Sequence, residues 1–393
     1  MSFKPTIGLE VHVELKTRTK MFCACLNNPD EKKPNVNVCP ICLGHPGTLP
    51  VINKKAVDAV LKLGMALKGK ITRESHFDRK SYFYPDLPKG YQISQYEHPL
   101  VEGGTLNNIR IRRIHLEEDT GRLLHSIPNY QLPITNYSLV DFNRAGVPLM
   151  ELVTEPDIKS AEEAVNFAKE LQLILRYLDI SGGDMEKGQL RVEANISISK
   201  EQSAKSKELG TKVEVKNINS FKAVFGAIEY ELKRQEKAAK EGGEIIQETR
   251  GWNDKKGITE SQRTKESSHD YRYFPEPDLP PIHISVDGRA SPVSTGGPPI
   301  DEINIESLKL EIPELPEAKR SRFIKEFGLS REQVEVLIED KVVADYYESA
   351  VSELKTYEDS AQNFKLLYNY LTSDLRGIMN QKQINFQNLK TTP

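Results

Sequence analysis

Glu10, His12 and Glu14 alternate with Leu9, Val11, Val13 and Leu15 in the run Ile7-Gly-Leu-Glu-Val-His-Val-Glu-Leu15. Strand side chains point alternately to opposite faces, so one face buries aliphatics and the other presents two carboxylates and an imidazole. Carboxylates beside a histidine are what a divalent-metal site needs. A half-exposed strand with its polar face in water would read the same way. The pattern recurs, however, at Ile114–Asp119, where His115, Glu117 and Asp119 share a parity, and at Pro148–Glu155, which carries Glu151. Three strand-like stretches thus deliver acids to what reads as one cleft.

The chain's four cysteines, all before residue 43, form a second constellation: Cys23-Ala-Cys25, then, after thirteen residues, Cys39-Pro-Ile-Cys42. Two such knuckles bring four thiolates to a tetrahedral point, the closed geometry of structural zinc. Two disulfides, or four incidental buried thiols, are the competing readings. Isolation of the four in an otherwise cysteine-free chain favours zinc. A metal saturated by four thiolates has no open position, so it holds structure rather than performing chemistry.

A third set lies between Phe77 and Gln92, where Arg79, Lys80 and Lys89 are interleaved with Tyr82, Phe83, Tyr84 and Tyr91. Cations meet phosphates and aromatics stack on bases, so nucleotide or RNA-end binding fits; so does an aromatic loop packed on the core. Gly64-Met-Ala-Leu-Lys-Gly-Lys70 has the glycine and lysine spacing of a phosphate-binding loop. Ile71 stands where that motif needs Ser or Thr, and the run closes a helix rather than opening one, so the match is rejected.

The elements that must position these groups are legible in outline. A helix is expected over Lys54 to Lys68, and another from a Ser160 cap, with Glu163 completing a capping box, to about Leu178. Gly188–Ser197 and Thr211–Asn219 read as further strands, with Arg191, Glu193, Glu214 and Lys216 alternating with aliphatics. A long helix from about Ser220 to Lys240 closes on Gly242-Gly243. Ser285 to Ile300, rich in Pro, Gly and Ser, is the best domain boundary. Beyond it the texture is helical: Glu317–Phe327, a helix capped by Ser330 toward Gln333, and segments near Ala344–Leu354 and Gln362–Leu371. Thr391-Thr-Pro393 reads as the entry to another helix, so further chain is expected downstream.

Composition fits this outline. With 38% hydrophobic and 28% charged residues, the 393-residue chain suits two or three domains. A formal charge of −3 gives no bulk basic field, so nucleic-acid contact must come from local patches. No run approaches the ~18 apolar residues of a membrane span, and Met1-Ser-Phe-Lys4 lacks a signal-peptide core. A cytoplasmic protein without membrane contact is expected.

These residues resemble the B-subunit family of the aspartyl/glutamyl-tRNA amidotransferases. The resemblance rests on Ile7–Leu15, Phe77-Asp-Arg-Lys80, Tyr82-Phe-Tyr-Pro-Asp86, Tyr91-Gln-Ile-Ser-Gln95 and His115-Leu-Glu-Glu-Asp119. It continues through Asp141-Phe-Asn-Arg144, Val215-Lys-Asn-Ile-Asn-Ser220 and Asp270-Tyr-Arg-Tyr-Phe-Pro-Glu-Pro-Asp278, in order over nearly the whole chain. The four-cysteine segment belongs to only part of that family and is intact here.

The resemblance implies an α+β fold: a glutamine-synthetase-like cradle domain over 1–293 with a zinc-knuckle insertion at 23–42, then a small all-helical domain over 294–393. In family members a tail domain that docks tRNA continues past the position of Pro393. It also implies the reaction. ATP phosphorylates the side-chain carboxylate of glutamate or aspartate misacylated on tRNA, and ammonia from a partner amidase (A) subunit displaces the phosphate, a small C subunit completing a heterotrimer. Matching the family's site residue by residue points to His12, Glu117 and Glu151 as Mg²⁺ ligands, with Glu10 adjacent and catalytic. Direct ligation by His12 is the outlier, because Mg²⁺ prefers oxygen. Lys80, Lys89 and Arg79 are the candidates for phosphate contact. A bound substrate carboxylate is already ionised at neutral pH, so phosphorylation needs charge neutralisation rather than an enzyme nucleophile. No glutaminase nucleophile is recognisable, so ammonia must come from elsewhere. Two other classes are a non-catalytic zinc-knuckle RNA-binding protein and a metal-dependent hydrolase; neither accounts for the ordered motifs.

Overall fold

The computed structural model describes residues 3–124, 138–200, 210–264, 271–285, 303–357, 360–386 and 389. The expected boundary at 285–300 and the Asp270 end of the last motif lie outside these, Ser285 excepted. The chain divides into two compact units, Met1–Glu311 and Ile312–Pro393.

The first unit is mixed α+β and is built on one ten-stranded sheet. In chain order its strands are β1 (Phe3–Glu14), β2 (Lys70–Ile71), β3 (Val101–Glu102), β4 (Thr105–Leu106), β5 (Ile109–Glu118), β6 (Pro148–Thr154), β7 (Leu190–Lys200), β8 (Val213–Ile218), β9 (Glu248–Asn253) and β10 (Ile258–Thr264). Across the sheet they run β10-β9-β8-β7-β1-β6-β5-β3-β2, with β4 also paired to β5. All pairs are antiparallel except β8 with β9.

The alternation in β1 is realised. Leu9, Val11 and Val13 are at most 1% exposed, and Leu190, Val192, Met150, Leu152, Ile114 and Leu116 on the neighbouring strands are buried with them. A one-residue slip would turn each of these to the opposite face. At about 1.5–3 kcal/mol per buried aliphatic, that penalty fixes the register.

Helices close the layer. Within the first unit they are α1 (Lys54–Ala66), α2 (Ala161–Tyr177), α3 (Phe221–Lys240) and α4 (Ile305–Leu310). α2 and α3 pack on each other, and α3 lies against β7 and β8. Ser160 caps α2 through Glu163 N, but the Glu163 carboxylate accepts from Lys159 N rather than from the cap residue, so the expected capping box is only half made. α1 ends two residues earlier than expected, because Lys68 turns to φ +58°.

The glycine spacing at 64–70 also receives its explanation. A Cβ on either Gly64 or Gly69 would sit 2.5 Å from a Val101 methyl. Both glycines serve the close approach of β3, not a phosphate.

The second unit holds α5 (Pro316–Phe327), α6 (Arg331–Ile338), α7 (Lys341–Lys355), α8 (Ala361–Asn369) and α9 (Arg376–Lys382), with a π-helical turn over Tyr370–Leu375. Ser330 and Gln333 make a full capping box. Phe323, Phe327, Tyr347 and Phe364 form an aromatic core in which the Tyr347 hydroxyl donates to Phe364 O at 2.9 Å. No described helix is long and apolar enough to cross a membrane.

Candidate functional site

Register alone assembles the first part of the site. β1 pairs His12 with Glu151 on one side and Arg191 on the other, and Glu151 pairs in turn with His115. A cross-strand row Arg191–His12–Glu151–His115 results. In the row on one side Glu193, Glu10 and Arg113 are aligned through Val153; in the row on the other, Glu14 and Glu117 flank Leu149.

Three of the expected residues converge. His12 Nε2 lies 3.6 Å from Glu117 Oε1 and 3.5 Å from Glu151 Oε2, and one ligand atom from each of the three falls within 4.8 Å of the others. Glu117 is 3% and Glu151 7% exposed, and buried carboxylates need partners. Ser94 Oγ donates to Glu117 at 3.2 Å and His115 Nε2 lies 3.3 Å from Glu151. Burial works against charge on His12, but Glu151 and then Glu117 outweigh it and hold the imidazole up at about 9. Burial likewise opposes ionisation of Glu151, yet His115 and His12 carry its carboxyl well below the ordinary range. The cluster therefore holds either a proton or a cation. Two carboxylates and an imidazole suit a divalent metal, which would bind with loss of the His12 proton.

Glu10 belongs to a neighbouring group. Its Oε1 accepts from Asn195 Nδ2 at 2.8 Å. Burial first, then Glu151, Glu193 and Glu214, raise its carboxyl above the usual value. Glu10, Glu193 and Glu214 also bring three ligand atoms within 4.8 Å, and Lys216 Nζ sits 2.8 Å from Glu193.

The three cations expected to meet phosphate are placed very differently. Lys80, on the short strand Asp78–Ser81, lies close enough to the cluster for the charges of Glu117 and Glu151 to act on it. Burial disfavours its charge, but Glu117, Tyr273 and Glu151 raise its pKa above the ordinary lysine value. Among the described residues no carboxylate lies within ion-pairing distance of its Nζ, which is 4.9 Å from the Tyr271 ring centre and 5.9 Å from that of Tyr82. Arg79, one residue away and so on the other face, is committed elsewhere. It forks onto Glu276 at 2.7 and 2.8 Å, reaches Asp278 at 3.2 Å and stacks on Tyr91 at 4.3 Å. Lys89 is paired to Glu118 at 2.7 Å. Glu118 follows Glu117 on the strand and turns toward the cysteines, where Lys89 and Glu118 line a cavity of about 190 Å³ with Cys23, Cys42 and His45.

Several residues at the site carried no assignment from sequence. Tyr96 and Tyr273 stack at 4.4 Å, with the Arg113 guanidinium 5.5 Å from the Tyr96 ring. Asp119 is paired to Arg191, its pKa lowered against burial by Arg191 and Arg144. The alternation in 188–197 and 211–219 was the signal for Glu193 and Glu214, but which alternating face meets β1 is decided only by strand order.

The cysteines gather into one group with all four Sγ atoms within 4.8 Å. None is paired with another in a disulfide. Cys39 N donates to Cys42 Sγ at 3.2 Å. The hydrogen bond from Cys23 and, against burial, the charge of Lys20 hold the Cys42 thiol down at about 5. The donor set fits zinc.

Comparison with known proteins places the chain among relatives of one kind. The GatB/GatE catalytic domain family matches residues 5–288. A protein of Rippkaea orientalis, named as the B subunit of an aspartyl/glutamyl-tRNA(Asn/Gln) amidotransferase, is 46% identical over 405 residues, covering 100% of this chain and 76% of that protein. A protein of the same name from Thermodesulfovibrio yellowstonii is 50% identical over 359 residues, covering 89% of this chain and 70% of its own. A third, from Dehalococcoides mccartyi, is 47% identical over 403 residues, covering 100% and 77%.

Proposed function

The chain belongs to the GatB/GatE catalytic domain family, and from that premise we propose that it is the ATP-dependent B subunit of an aspartyl/glutamyl-tRNA(Asn/Gln) amidotransferase. Its substrates are ATP and Glu-tRNA(Gln) or Asp-tRNA(Asn), and it works in a complex with an amidase A subunit and a small C subunit in the cytoplasm. The first unit acts as a glutamine-synthetase-like cradle with a zinc knuckle at 23–42.

The observation that carries this reading is the closeness to the His12, Glu117 and Glu151 cluster of Lys80, which has no carboxylate of its own among the described residues. In the reaction a side-chain carboxylate oxygen bonds to the γ-phosphorus of ATP as ADP leaves. Ammonia nitrogen then bonds to the acyl carbon as phosphate leaves. The first step brings anions together, so the site must supply positive charge without supplying a nucleophile. His12, Glu117 and Glu151 would hold Mg²⁺, which when bound neutralises phosphate charge. Lys80 aims a second cation at the same place, and Glu10 completes the acidic wall. Tyr96 and Tyr273 offer a stacked aromatic face beside it. Lys89 and Arg79, being paired, brace the walls of the cleft; Lys89 reaches a phosphate only by releasing Glu118.

An acyl phosphate forms only when a carboxylate is docked. ATP cleavage by the assembled complex should therefore rise at least tenfold on adding misacylated tRNA, and uncharged tRNA should give no such rise. Equal cleavage with either tRNA would support the metal-dependent hydrolase instead.

A further inference from the structure

Lys20 is 0% exposed, yet it takes no part in the site just described. Among the described residues it has no carboxylate within ion-pairing distance. Its Nζ instead lies 3.8 Å from Cys42 Sγ and donates to Phe142 O at 3.2 Å. A buried lysine without a carboxylate is costly unless some other negative charge answers it. Four thiolates around a divalent cation leave two net negative charges, and Cys42 Sγ, 3.8 Å from Lys20 Nζ, is one of those four.

We propose that Lys20 is a positioning residue of the thiolate centre: it compensates the charge of the metal-loaded sulfurs and ties the knuckle to the segment that seats the catalytic strands. This rests on zinc binding by the four cysteines.

The second half of the proposal follows the hydrogen bonds outward from Phe142. Phe142 N donates to Asn35 Oδ1 at 2.8 Å, within the loop that joins the two cysteine pairs. Asn143, also 0% exposed, accepts from Val36 N and Asn37 N at 2.9 Å and donates to Lys33 O at 2.8 Å. Asp141 Oδ1 accepts from Asn35 N at 3.1 Å. The same segment then turns through Gly146, at φ +85°, where an added Cβ would lie 3.4 Å from Cys42 Cβ and 3.5 Å from Lys20 Cδ. Gly146 O accepts from Met21 N at 2.7 Å, and Gly146 N donates to Asp119 O at 2.9 Å. Asp119 N donates to Val147 O at 2.8 Å, closing the link at the end of β5, two residues beyond Glu117. Lys20 is the one described side chain that touches both a cluster sulfur and the Asp141–Gly146 turn through polar atoms. Lys20 therefore couples the charge on the sulfurs to that turn, beside the hydrogen bonds that the cysteine loop makes with it directly.

The test compares the full chain with Lys20→Met and Lys20→Arg variants. Zinc affinity is read by competition with a chromophoric chelator, and the sulfur environment by the charge-transfer bands of the cobalt-substituted protein. Lys20→Met should bind zinc about 10- to 100-fold more weakly, the range expected when an outer partner of a metal ligand is lost. Its cobalt bands should shift, and Lys20→Arg should recover part of the affinity. A lysine that merely anchors Phe142 O would instead lower thermal stability equally with and without zinc and leave the affinity within twofold; that result overturns the proposal. Should the methionine variant fail to fold, hydrogen exchange on the unaltered protein decides. Chelation should strip protection from the amides of Asp119, Met21 and Gly146, and unchanged protection refutes the coupling. If the unaltered chain takes up neither zinc nor cobalt, zinc binding itself falls first, and this inference with it.

Discussion

At the scale of single residues, two neighbours of the same charge have different partners. Lys80 lies close to the cluster of His12, Glu117 and Glu151 without a carboxylate of its own among the described residues, whereas Arg79 is spent on Glu276 and Asp278. Lys80→Met should lower amide formation by about 10²-fold with little change in melting temperature, because it removes a charge from the reaction and none from the core. Arg79→Met should do the reverse. It strands Glu276, 3% exposed, without its guanidinium, and should cost about 3 kcal/mol in urea unfolding. Glu151→Gln and Glu117→Gln should each lower amide formation by about 10²-fold or more while leaving the fold intact, since volume and packing are kept. Near-normal activity of either at limiting Mg²⁺ would refute the metal assignment.

Residue identities were readable where spacing carried them. The alternation in Ile7–Leu15 put Glu10 and His12 on one face, and His115 with Glu117 followed from the same argument. What spacing does not carry is the partner. Nothing in Phe77–Gln92 distinguishes Lys80 from Lys89 or Arg79; their difference lies in Glu118 and Glu276, which arrive from other parts of the chain.

At the scale of elements, helices and strands were legible because each has a local signature. Ser160 and Ser330 cap helices at the positions their spacing predicts, and Ser220 caps the long helix expected to begin near it. Short strands such as Val101–Glu102 carry too few residues for any period to register, and they exist because a neighbouring strand offers hydrogen bonds. The four-cysteine element yields its own prediction: purified protein should contain about one zinc per chain, and Cys39→Ser should lower both zinc content and solubility. α1 supplies another. Asp58 is 6% exposed with Oδ1 unpartnered, and burial raises its pKa above 3.8 against the opposing charges of Lys54, Lys55 and Lys62. A raised carboxyl stabilises the fold only while protonated, so its contribution is complete below about pH 3.8 and is lost as the pH climbs through the folded value. Asp58→Asn should therefore raise stability at pH 7 by about 1 kcal/mol and do less at pH 4, measured from urea midpoints.

At the scale of the whole molecule, strand order does what no local pattern foretells. β1, β6 and β7 are far apart in the chain, yet their adjacency places His12 between Glu151 and Arg191. The ten-stranded sheet thus brings His12, Glu117 and Glu151, from β1, β5 and β6, into one acidic wall. On the proposed function, this wall activates the carboxylate and a partner amidase supplies the ammonia. The most direct measurement supplies the complex with free ammonium, ATP, Mg²⁺ and misacylated tRNA while the amidase of the partner is inactivated. Amide should form at a rate comparable to the glutamine-driven reaction of the intact complex, and Lys80→Met or Glu151→Gln in this chain should lower that rate by about 10²-fold or more. No amide from ammonia, under conditions where the intact complex works on glutamine, would contradict a catalytic role for this chain.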